Sequence, residues 1–395
     1  MRAEQDYDVL ISGAGMVGAA LGLALQRAGL RVAIAERRSE SLCAAADPLQ
    51  RSSLVNAGAG AFLAEQGVDV ASLGTAVVGM RVWDAENAGS IQLDAADVDA
   101  PLLGHICENQ RLEQELRTAF GAAGGTLLFD CQWQSRYLDQ DAIELADAQE
   151  NRYRGRLLAI AEGRQSSLRQ QLIQSSILRE DYQQEAIVAT VQVERPHGGI
   201  AYQRFLPTGP IALLPFANDA EGRPQASLVW SARTLMARQL FALDNEQFLH
   251  RLQLAFGPQL GVLRGIGPRG KYPLSALHVN RYVQERVVLL GDSAHGVHPL
   301  AGLGVNLGFR DVVSLSNVIL AALRTRQDFG QRQVLLAYQR ERRPDNLLTV
   351  ATCGGLNHLF SNRSPLLARL RDLGLWGTSM TPPLKRFFIR QAMGL

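Results

Sequence analysis

Cysteine is scarce in this sequence of 395 residues, and the few cysteines lie far apart. They are Cys43, Cys107, Cys131 and Cys353, so no C-x-x-C pair occurs. Zinc sites and disulfide frameworks both need clustered cysteines, and the spacing here argues against both. We therefore expect a protein of a reducing cytoplasm.

Charge of one sign is not in excess either. The sequence has 40 Lys and Arg against 38 Asp and Glu, and this net charge of +2 gives no reason to expect nucleic acid. The sequence contains no uninterrupted run of about 18 apolar residues, so it predicts no membrane-spanning helix. The N-terminal stretch MRAEQDYD is mixed in charge, so we expect no signal peptide. The length allows roughly two or three domains.

Histidine is also sparse, with 7 residues in all. His295 and His298 are close together, but Pro299 follows directly and no carboxylates cluster with them, so a metal-ligand pattern is missing. No Ser-His-Asp arrangement is evident. We therefore predict no metal site, interpret both histidines as buried and hydrogen-bonded, and assign no catalytic side chain.

A nucleotide-binding unit is present in full at the N-terminus. The apolar run Tyr7–Ser12 predicts a strand, a helical pattern then extends to Ala28, and a second strand, Arg31–Ala35, ends at Glu36. The glycines of the intervening turn are Gly13, Gly15 and Gly18. They permit a tight turn, the approach of a pyrophosphate and close helix packing, and an acid about 20 residues later can bind ribose hydroxyls. This pattern predicts a bound dinucleotide, either NAD or FAD.

A second motif lies far along the chain. Val287–Leu290 predicts a buried strand that ends at Gly291 and Asp292, which leaves a carboxylate at the edge where open α/β sheets bind ligands. A loop rich in proline and glycine, 299–304, then leads into a helical pattern over Val305–Leu323. Such a loop offers free N–H groups to an anion, or to a ring that becomes negative when reduced. Two distant motifs indicate FAD, because the flavin must reach from one to the other.

The run GDSAH-x-x-HPLAG-x-G-x-NLG-x-RD resembles the second flavin motif of the FAD-dependent aromatic hydroxylases, the flavoprotein monooxygenases similar to p-hydroxybenzoate hydroxylase. It most resembles the branch that hydroxylates the polyprenylated ring in ubiquinone biosynthesis, as do QRFLPTGPIALLPF and the ending PPLK-x-x-x-x-x-x-AMG. The resemblance implies that the aspartate holds the ribityl chain and that the loop backbone lies against the pyrimidine edge of the flavin. The matching positions are Asp292, Pro299, Gly302, Gly304 and Asn306. Leu303 departs from the glutamine usual in this branch.

Other positions match the same family. Arg51, ahead of a helix-like run over Ser53–Gln66, matches an arginine that helps control the flavin's position; a solvated arginine at a helix start is the alternative. Asn109 resembles the residue that begins a helix beside the flavin in this family; a simple cap of that helix is the alternative. Glu162 replaces the aspartate of the A-D-G-x-x-S-x-x-R motif. The full set of candidate cofactor-binding residues is Gly13, Gly15, Gly18, Glu36, Arg37, Arg51, Asn109, Glu162, Asp292, Pro299, Gly302, Leu303, Gly304, Val305 and Asn306.

The fold class predicted is α/β: a Rossmann-like FAD-binding domain with an interleaved β-sheet substrate domain and a C-terminal helical region. The expected segments are 1–76, 107–178 and 281–345 for the FAD-binding domain, 77–106 and 179–280 for the substrate domain, and 346–395 for the helical tail. A helix that passes through Tyr338 is expected to stop at Pro344.

The tail from Asn362 to Leu395 is basic and amphipathic. Its cations are Arg363, Arg369, Arg371, Lys385, Arg386 and Arg390, with Asp372 as the one acid. Leucine, phenylalanine and isoleucine residues interleave with them. Such a segment suits an anionic membrane surface, and a final helix packed on the body explains it equally well.

The resemblance implies an FAD-dependent monooxygenase. NAD(P)H or another donor would reduce FAD, dioxygen would add to the reduced flavin, and the hydroperoxide would hydroxylate the polyprenylated ring of a ubiquinone precursor. The expected partners are a polyprenylated phenol or quinol, dioxygen, a ubiquinone-biosynthesis complex and the inner face of the membrane, for a protein of the cytoplasm. Two alternatives stay open: a flavin hydroxylase of a non-lipid aromatic, and, because of Glu162 and Leu303, a non-catalytic flavin-binding subunit of a biosynthetic assembly.

Overall fold

The structure is a computed structural model that describes residues 4–45, 51–84, 89–298, 304–360 and 381–394. Two large β-sheets organise the chain. The strands are β1 (Glu4–Ser12), β2 (Val32–Ala35), β3 (Ser52–Asn56), β4 (Gly74–Val77), β5 (Gly79–Asp84), β6 (Ser90–Asp94), β7 (Gly104–Glu108), β8 (Thr126–Leu128), β9 (Gln134–Leu138), β10 (Ile143–Ala146), β11 (Arg152–Ile160), β12 (Ile177–Val193), β13 (Ile200–Leu206), β14 (Gly209–Phe216), β15 (Gln225–Arg233), β16 (Leu263–Ile266), β17 (Gly270–Val279), β18 (Val283–Gln284), β19 (Val287–Leu289) and β20 (His295–Gly296). The helices are α1 (Met16–Arg27), α2 (Glu40–Ala44), α3 (Ala57–Glu65), α4 (Val70–Leu73), α5 (Asn109–Ala122), α6 (Ser167–Leu172), α7 (Thr234–Ala242), α8 (Asn245–Phe256), α9 (Gly304–Arg324), α10 (Arg332–Phe360) and α11 (Pro382–Met393), with 3-10 turns at Ala95–Val98 and Gly291–Ser293.

The first sheet has eight strands, and its centre is parallel in the order β19, β11, β1, β2, β8. Val9, Leu10 and Ile11 of β1 are fully buried, as expected for a central strand covered on both faces. Helix α1 packs between α5 and α9. This is the predicted Rossmann-like arrangement, and the α/β fold class is confirmed.

The second sheet has nine strands and is antiparallel except where β13 runs parallel to β5. One face packs on helices α7 and α8 around Trp230, Phe248 and Phe256. The other face carries an apolar cluster that includes Phe205 and Leu214 and joins it to the C-terminal helices. The third sheet, β3-β7-β4, is small and lies beside this second face.

The helix-like run expected over Ser53–Gln66 is wrong in its first part, because β3 extends to Asn56 and α3 begins only at Ala57. The Asn56 side chain accepts a hydrogen bond of 2.9 Å from the Ala59 N–H and so caps the helix. Ser52–Asn56 pair with β7 along their whole length, and Ser, Val and Asn are weak helix formers.

The stop expected at Pro344 is also wrong, because α10 continues through this proline to Phe360. A proline removes one backbone hydrogen bond but does not prevent helix on either side of it. Here Arg342 and Asn346 flank the proline, and both bind the buried carboxylate of Asp311. These bonds hold the two halves of α10 against α9.

Helix α9 is the one described helix that is long and apolar enough to cross a membrane by length and composition. Of its most apolar window, 61% is buried inside the protein. Leu315 and Ile319 are fully buried in the same core as β1. It is therefore a core helix of the first sheet.

Candidate cofactor site

The two predicted nucleotide motifs meet at one edge of the first sheet. Ser12 at the end of β1 pairs with Ile160 of β11, and Ile160 pairs with Leu289 of β19, so three parallel strands end side by side. Val17 of α1 lies between the two turns: an ideal Cβ on Gly291 would be 3.2 Å from its side chain. This edge is where open α/β sheets bind ligands.

The first turn requires its glycines. Gly13 has a φ of +105°, and a Cβ there would overlap the carbonyl oxygen of Ala161. A Cβ on Gly18 would overlap the carbonyl oxygen of Gly13. Above Gly15, in contrast, the nearest atom to an ideal Cβ is Glu113 Oε1 at 3.9 Å. The backbone is therefore open to a ligand at Gly15.

The start of α1 suits an anion. Gly15 occupies the cap position and has no side chain with which to cap the helix, and the first turn contains no acidic residue. The first N–H groups and the positive end of the helix dipole are therefore left for a ligand such as a pyrophosphate.

Glu36 lies at the end of β2, as predicted, and only 6% of it is exposed. Its carboxylate accepts hydrogen bonds from the Ala14 N–H (3.1 Å) and from Arg38 N (3.1 Å) and Nε (3.0 Å). Burial raises the pKa of Glu36, but the bonds and charge of Arg38 outweigh burial and keep this pKa below its ordinary value. Glu36 is therefore an anion at neutral pH that can accept a ribose hydroxyl.

Arg38 binds the Glu36 carboxylate beside this turn. Its neighbour Arg37, which was predicted to bind the cofactor, is exposed. A second unpredicted arginine, Arg117, is buried on α5 and donates to the carbonyl oxygen of Ala14 at 3.2 Å. Arg38 and Arg117 both contact Glu113, at 3.5 and 3.4 Å. Glu113 and Arg117 are four positions apart, which places them on one face of a helix, and this spacing was a sequence signal that could have revealed Arg117.

Asp292 follows β19 in a 3-10 turn, as the motif predicted. Its carboxylate is half-exposed and accepts a hydrogen bond of 2.9 Å from Arg164 Nε. Arg164 also donates to the carbonyl oxygens of Ser275 (2.6 Å) and Val297 (3.1 Å), so it ties this turn to the second sheet. Sequence analysis did not identify Arg164, because nothing in its local pattern indicates a partner 128 residues away.

The turn is supported from below by Asp311, which is completely buried in α9. One of its oxygens accepts from the Gly291 N–H (3.0 Å) and lies 2.5 Å from His295 Nε2. The other accepts from Arg342 Nε at 2.9 Å and from Asn346 at 3.2 Å. Burial raises the pKa of Asp311, but His295 and Arg342 outweigh it and keep the pKa low.

Glu162 stands between the two turns, but its carboxylate is directed to the protein itself. Oε1 accepts from the Ser12 hydroxyl at 2.6 Å, and Oε2 accepts from the Ser166 hydroxyl at 2.6 Å and the Leu168 N–H at 3.2 Å. These bonds join the end of β1 to the start of α6. The structure therefore gives Glu162 a role in shaping the edge of the sheet.

Asn306 also binds protein. Its Nδ2 donates to the Leu54 carbonyl oxygen at 2.6 Å, and its Oδ1 accepts from the Asn56 N–H at 3.0 Å. It therefore fixes β3 beside α9.

Arg51 and Asn109 are brought together, since the Asn109 N–H donates to the Arg51 carbonyl oxygen at 2.9 Å. Asn109 Oδ1 is buried and has no hydrogen-bond partner among the described residues. The charge of Arg51 also acts on Tyr272, whose pKa burial raises. An unsatisfied buried acceptor next to an arginine fits a site for a polar ligand.

Gly304 and Val305 begin α9 and are half-buried. Pro299, Gly302 and Leu303 lie outside the described residues. Within the described part of the chain, no group of three or more His, Cys, Asp or Glu residues could hold a metal ion.

Comparisons with known proteins agree with this geometry. Residues 6–350 match the model of the FAD binding domain family. The chain is 36% identical over 400 residues to ubiquinone hydroxylase UbiL of Rhodospirillum rubrum, covering 99% of this chain and 90% of that protein. It is 32% identical to 3-demethoxyubiquinol 3-hydroxylase of Escherichia coli, covering 99% of both chains. Its fold is similar to that of p-nitrophenol 4-monooxygenase PnpA of Pseudomonas putida, with a TM-score of 0.80 at 16% identity and 98% coverage of both chains.

Proposed function

This chain belongs to the FAD binding domain family and is an FAD-dependent monooxygenase, and from that premise we propose that it hydroxylates the polyprenylated aromatic ring of a ubiquinone precursor. The observation that carries the proposal is the 36% identity to a ubiquinone hydroxylase over 99% of the chain. The likeness to p-nitrophenol 4-monooxygenase, at 16% identity, is one of fold alone.

The residues of the sheet edge fit FAD. The open backbone at Gly15 and the uncapped start of α1 would hold the pyrophosphate, Glu36 a ribose, and Asp292 the ribityl chain. The unsatisfied oxygen of Asn109, at the start of α5, is a further acceptor for a polar ligand. Bound FAD would supply the redox chemistry that activates dioxygen.

The protein's own contribution is placement and the exclusion of water. The inner face of the second sheet presents apolar side chains, among them Phe205, Ala212 and Leu214, opposite α10 and α11. Phe205 stacks on Phe360 of α10 with ring centroids 4.0 Å apart. This apolar wall is covered by the two helices, and its packing keeps bulk water away from the inner face of the second sheet.

The decisive experiment uses the FAD-loaded protein with a prenylphenol that has a short side chain. We expect oxygen uptake and a product heavier by one oxygen atom by mass spectrometry, with NADH and NADPH each tried as reductant. NAD(P)H as the reductant is part of this proposal. Oxygen consumption that yields only hydrogen peroxide with every prenylphenol and quinol tested would contradict it.

We also propose a peripheral contact with an anionic membrane at the inner face of the cytoplasmic membrane, together with the other enzymes of the pathway. On α11, Phe387 is 54% exposed between the exposed Arg386 and Arg390. The opposite side of the helix is anchored: Ile389 is fully buried and Lys385 pairs with Asp97 at 2.7 Å. The helix therefore supports both interpretations of the tail, with one face packed and one face basic.

Charge reversal tests the membrane contact. Each basic residue near an anionic surface contributes about 1 kcal/mol, so Arg386→Glu combined with Arg390→Glu should weaken sedimentation with phosphatidylglycerol vesicles at least tenfold. Arg264→Glu is the matched control, because Arg264 is also exposed but lies on the second sheet. Equal binding by all three proteins would contradict the contact.

A further inference from the structure

Two buried polar atoms next to the second motif are unsatisfied. His298 is 1% exposed, and its Nδ1 has no hydrogen-bond partner among the described residues. The Tyr182 hydroxyl is also buried and has no hydrogen-bond partner among the described residues. The two rings meet edge to face, with centroids 5.1 Å apart. Buried groups of this kind cost free energy unless a ligand or water satisfies them.

The chemistry of the two atoms is complementary. His298 Nε2 lies 3.1 Å from Gln184 Oε1, which can only accept, so Nε2 carries the proton and Nδ1 of the neutral ring is an acceptor. Burial, with a smaller effect of Arg164, lowers the pKa of His298 to about 4, so the ring is neutral at pH 7. Burial raises the pKa of Tyr182 to about 12, so its hydroxyl remains a donor.

The position of the pair follows from an irregularity in β12. Asp181 pairs with Ser275 of β17 and Gln184 with the next residue, Leu274, so Tyr182 and Gln183 form a bulge. Gln183 has a φ of +52°. The bulge releases Tyr182 from the alternation of the strand and places its ring against His298.

The pair belongs to the inner face of the second sheet. Beyond the bulge, the side chains of Gln184 and Val188 lie on the same side of β12. Val188 pairs with Val229, and Val229 packs on the apolar cluster that contains Phe205. Val297, the neighbour of His298, is in the same cluster. His298 is also the last described residue before the glycine loop. The unsatisfied atoms thus lie where the apolar wall meets the second motif.

We propose that Tyr182 and His298 together bind one ring hydroxyl of the aromatic substrate, an inference that rests on the proposed function. The Tyr182 hydroxyl donates to the ring oxygen, and that hydroxyl donates to His298 Nδ1. A phenol or quinol is both donor and acceptor at one atom, so it satisfies both buried groups at once. The bond to Nδ1 moves electron density into the ring and so makes its carbons more reactive towards an electrophilic oxygen.

Two ligands distinguish the hydrogen bond donated by Tyr182 from the hydrogen bond accepted by His298. A prenylphenol with a short side chain can make both, whereas its methyl ether can accept from Tyr182 but cannot donate to His298. In the FAD-loaded protein, titrated by the change in flavin absorbance, the phenol should bind at least tenfold more tightly than the ether. His298→Leu should remove this preference. Tyr182→Phe should weaken both ligands by a similar factor and keep the preference.

Controls distinguish this inference from its alternatives. His250→Leu, at an exposed position on α8, should change nothing. Tyr182→Phe removes only a hydroxyl without a partner, so it should fold even if His298→Leu does not. An unchanged preference in His298→Leu with normal FAD affinity would mean that water satisfies the two groups and would overturn the inference. A tenfold loss of FAD affinity in either variant would assign the pair to the cofactor and overturn it too. Tight phenol binding by a protein that forms no hydroxylated product would instead contradict the proposed function.

Discussion

The two turns that form the cofactor site are stabilised in different ways. The first, at Gly13–Gly18, is shaped by backbone conformation: glycines stand where a Cβ would collide. The second, at Gly291–Ser293, rests on a buried carboxylate, Asp311, with a histidine and an arginine around it. The steric limit on the first turn comes from backbone atoms, of Gly13 against Gly18 and of Ala161 against Gly13, whereas the second turn depends on charged side chains.

This difference predicts how each turn fails. A turn made by glycines tolerates no larger residue at its collision points, whichever side chains surround it. A turn held by buried charges tolerates changes in its own sequence but depends on every member of the charge network, because each member left alone is a buried uncompensated charge.

The largest effect should come from the network. Asp311→Asn leaves Arg342 and His295 without a buried anion, and removing one partner of a buried ion pair costs about 3–5 kcal/mol. We expect a loss of this size in the free energy of unfolding, measured by urea denaturation. Asp345→Asn is the control, since this partly exposed acid pairs with the same arginine at 2.7 Å and should cost about 1 kcal/mol or less. Equal losses in the two variants would contradict the network.

A smaller effect, on cofactor affinity, is expected at the second turn itself. Asp292→Ala should weaken FAD binding by about 1.5–3 kcal/mol, the value of a hydrogen bond to a charged group. The stability of the apoprotein should change little, because the Asp292 side chain is 47% exposed. Measurement is by flavin fluorescence during titration of the apoprotein. Arg164→Gln tests the mechanism: if it weakens FAD as much as Asp292→Ala does, the aspartate acts only through its arginine.

Sequence reasoning located both turns because each begins with local patterns: a buried strand, a glycine and a helix. It also predicted the pairing of the two motifs in one site and the fold class. The cofactor-binding role of Arg37 stays a prediction. Sequence reasoning did not identify Arg38, which binds Glu36, because the contact made by one of two adjacent arginines is not visible in the sequence. Leu303, whose effect on the flavin was questioned from sequence, lies outside the described residues.

What was missed lies in contacts between distant segments. Arg164 and Asp292 are 128 residues apart, and Asp311 and Arg342 belong to different helices. The same contacts explain why α10 passes through Pro344, which local propensity predicted as a stop. Helices α7 and α8 lie within a segment that sequence analysis treated as β-rich, because that interpretation followed the apolar strands on either side.

The third test is at the first turn and distinguishes a glycine needed for FAD binding, Gly15, from one needed for stability, Gly13. Gly15→Ala meets only open space, so the protein should keep its unfolding midpoint but bind FAD about tenfold more weakly, or about 1.4 kcal/mol. Gly13→Ala, with a φ of +105° and a colliding carbonyl, should lower the unfolding free energy of the apoprotein as well. Thermal unfolding and flavin titration of both variants provide the measurement. A destabilised Gly15→Ala apoprotein would remove the distinction.

The smallest effect expected is a difference in acid sensitivity between the two turns. Next to the second turn, His278 is 1% exposed, and burial, then the charges of His295 and Arg343, lower its pKa to about 4. The unfolded chain protonates near pH 6.5, so it binds the proton more tightly than the native chain, and the unfolding free energy falls as the pH falls from 6.5 towards 4. Despite burial, the contacts of Glu36 with Arg38 at the first turn hold its pKa below the ordinary value, so this residue contributes nothing to this window.

Between pH 7 and pH 6 a histidine that stays neutral in the native state costs about 0.7 kcal/mol, since only the unfolded chain gains the proton. His278→Gln should therefore flatten the decline of unfolding free energy over this interval by about that amount, whatever its effect on stability at pH 7. The measurement is urea denaturation at four or five pH values, with the exposed His250→Gln as control. Because His250 is exposed to solvent on α8 and lies away from the second turn, the control should follow the parent curve. If His278→Gln also runs parallel to the parent, the ring is protonated in the native protein, and the second turn is not the acid-sensitive one.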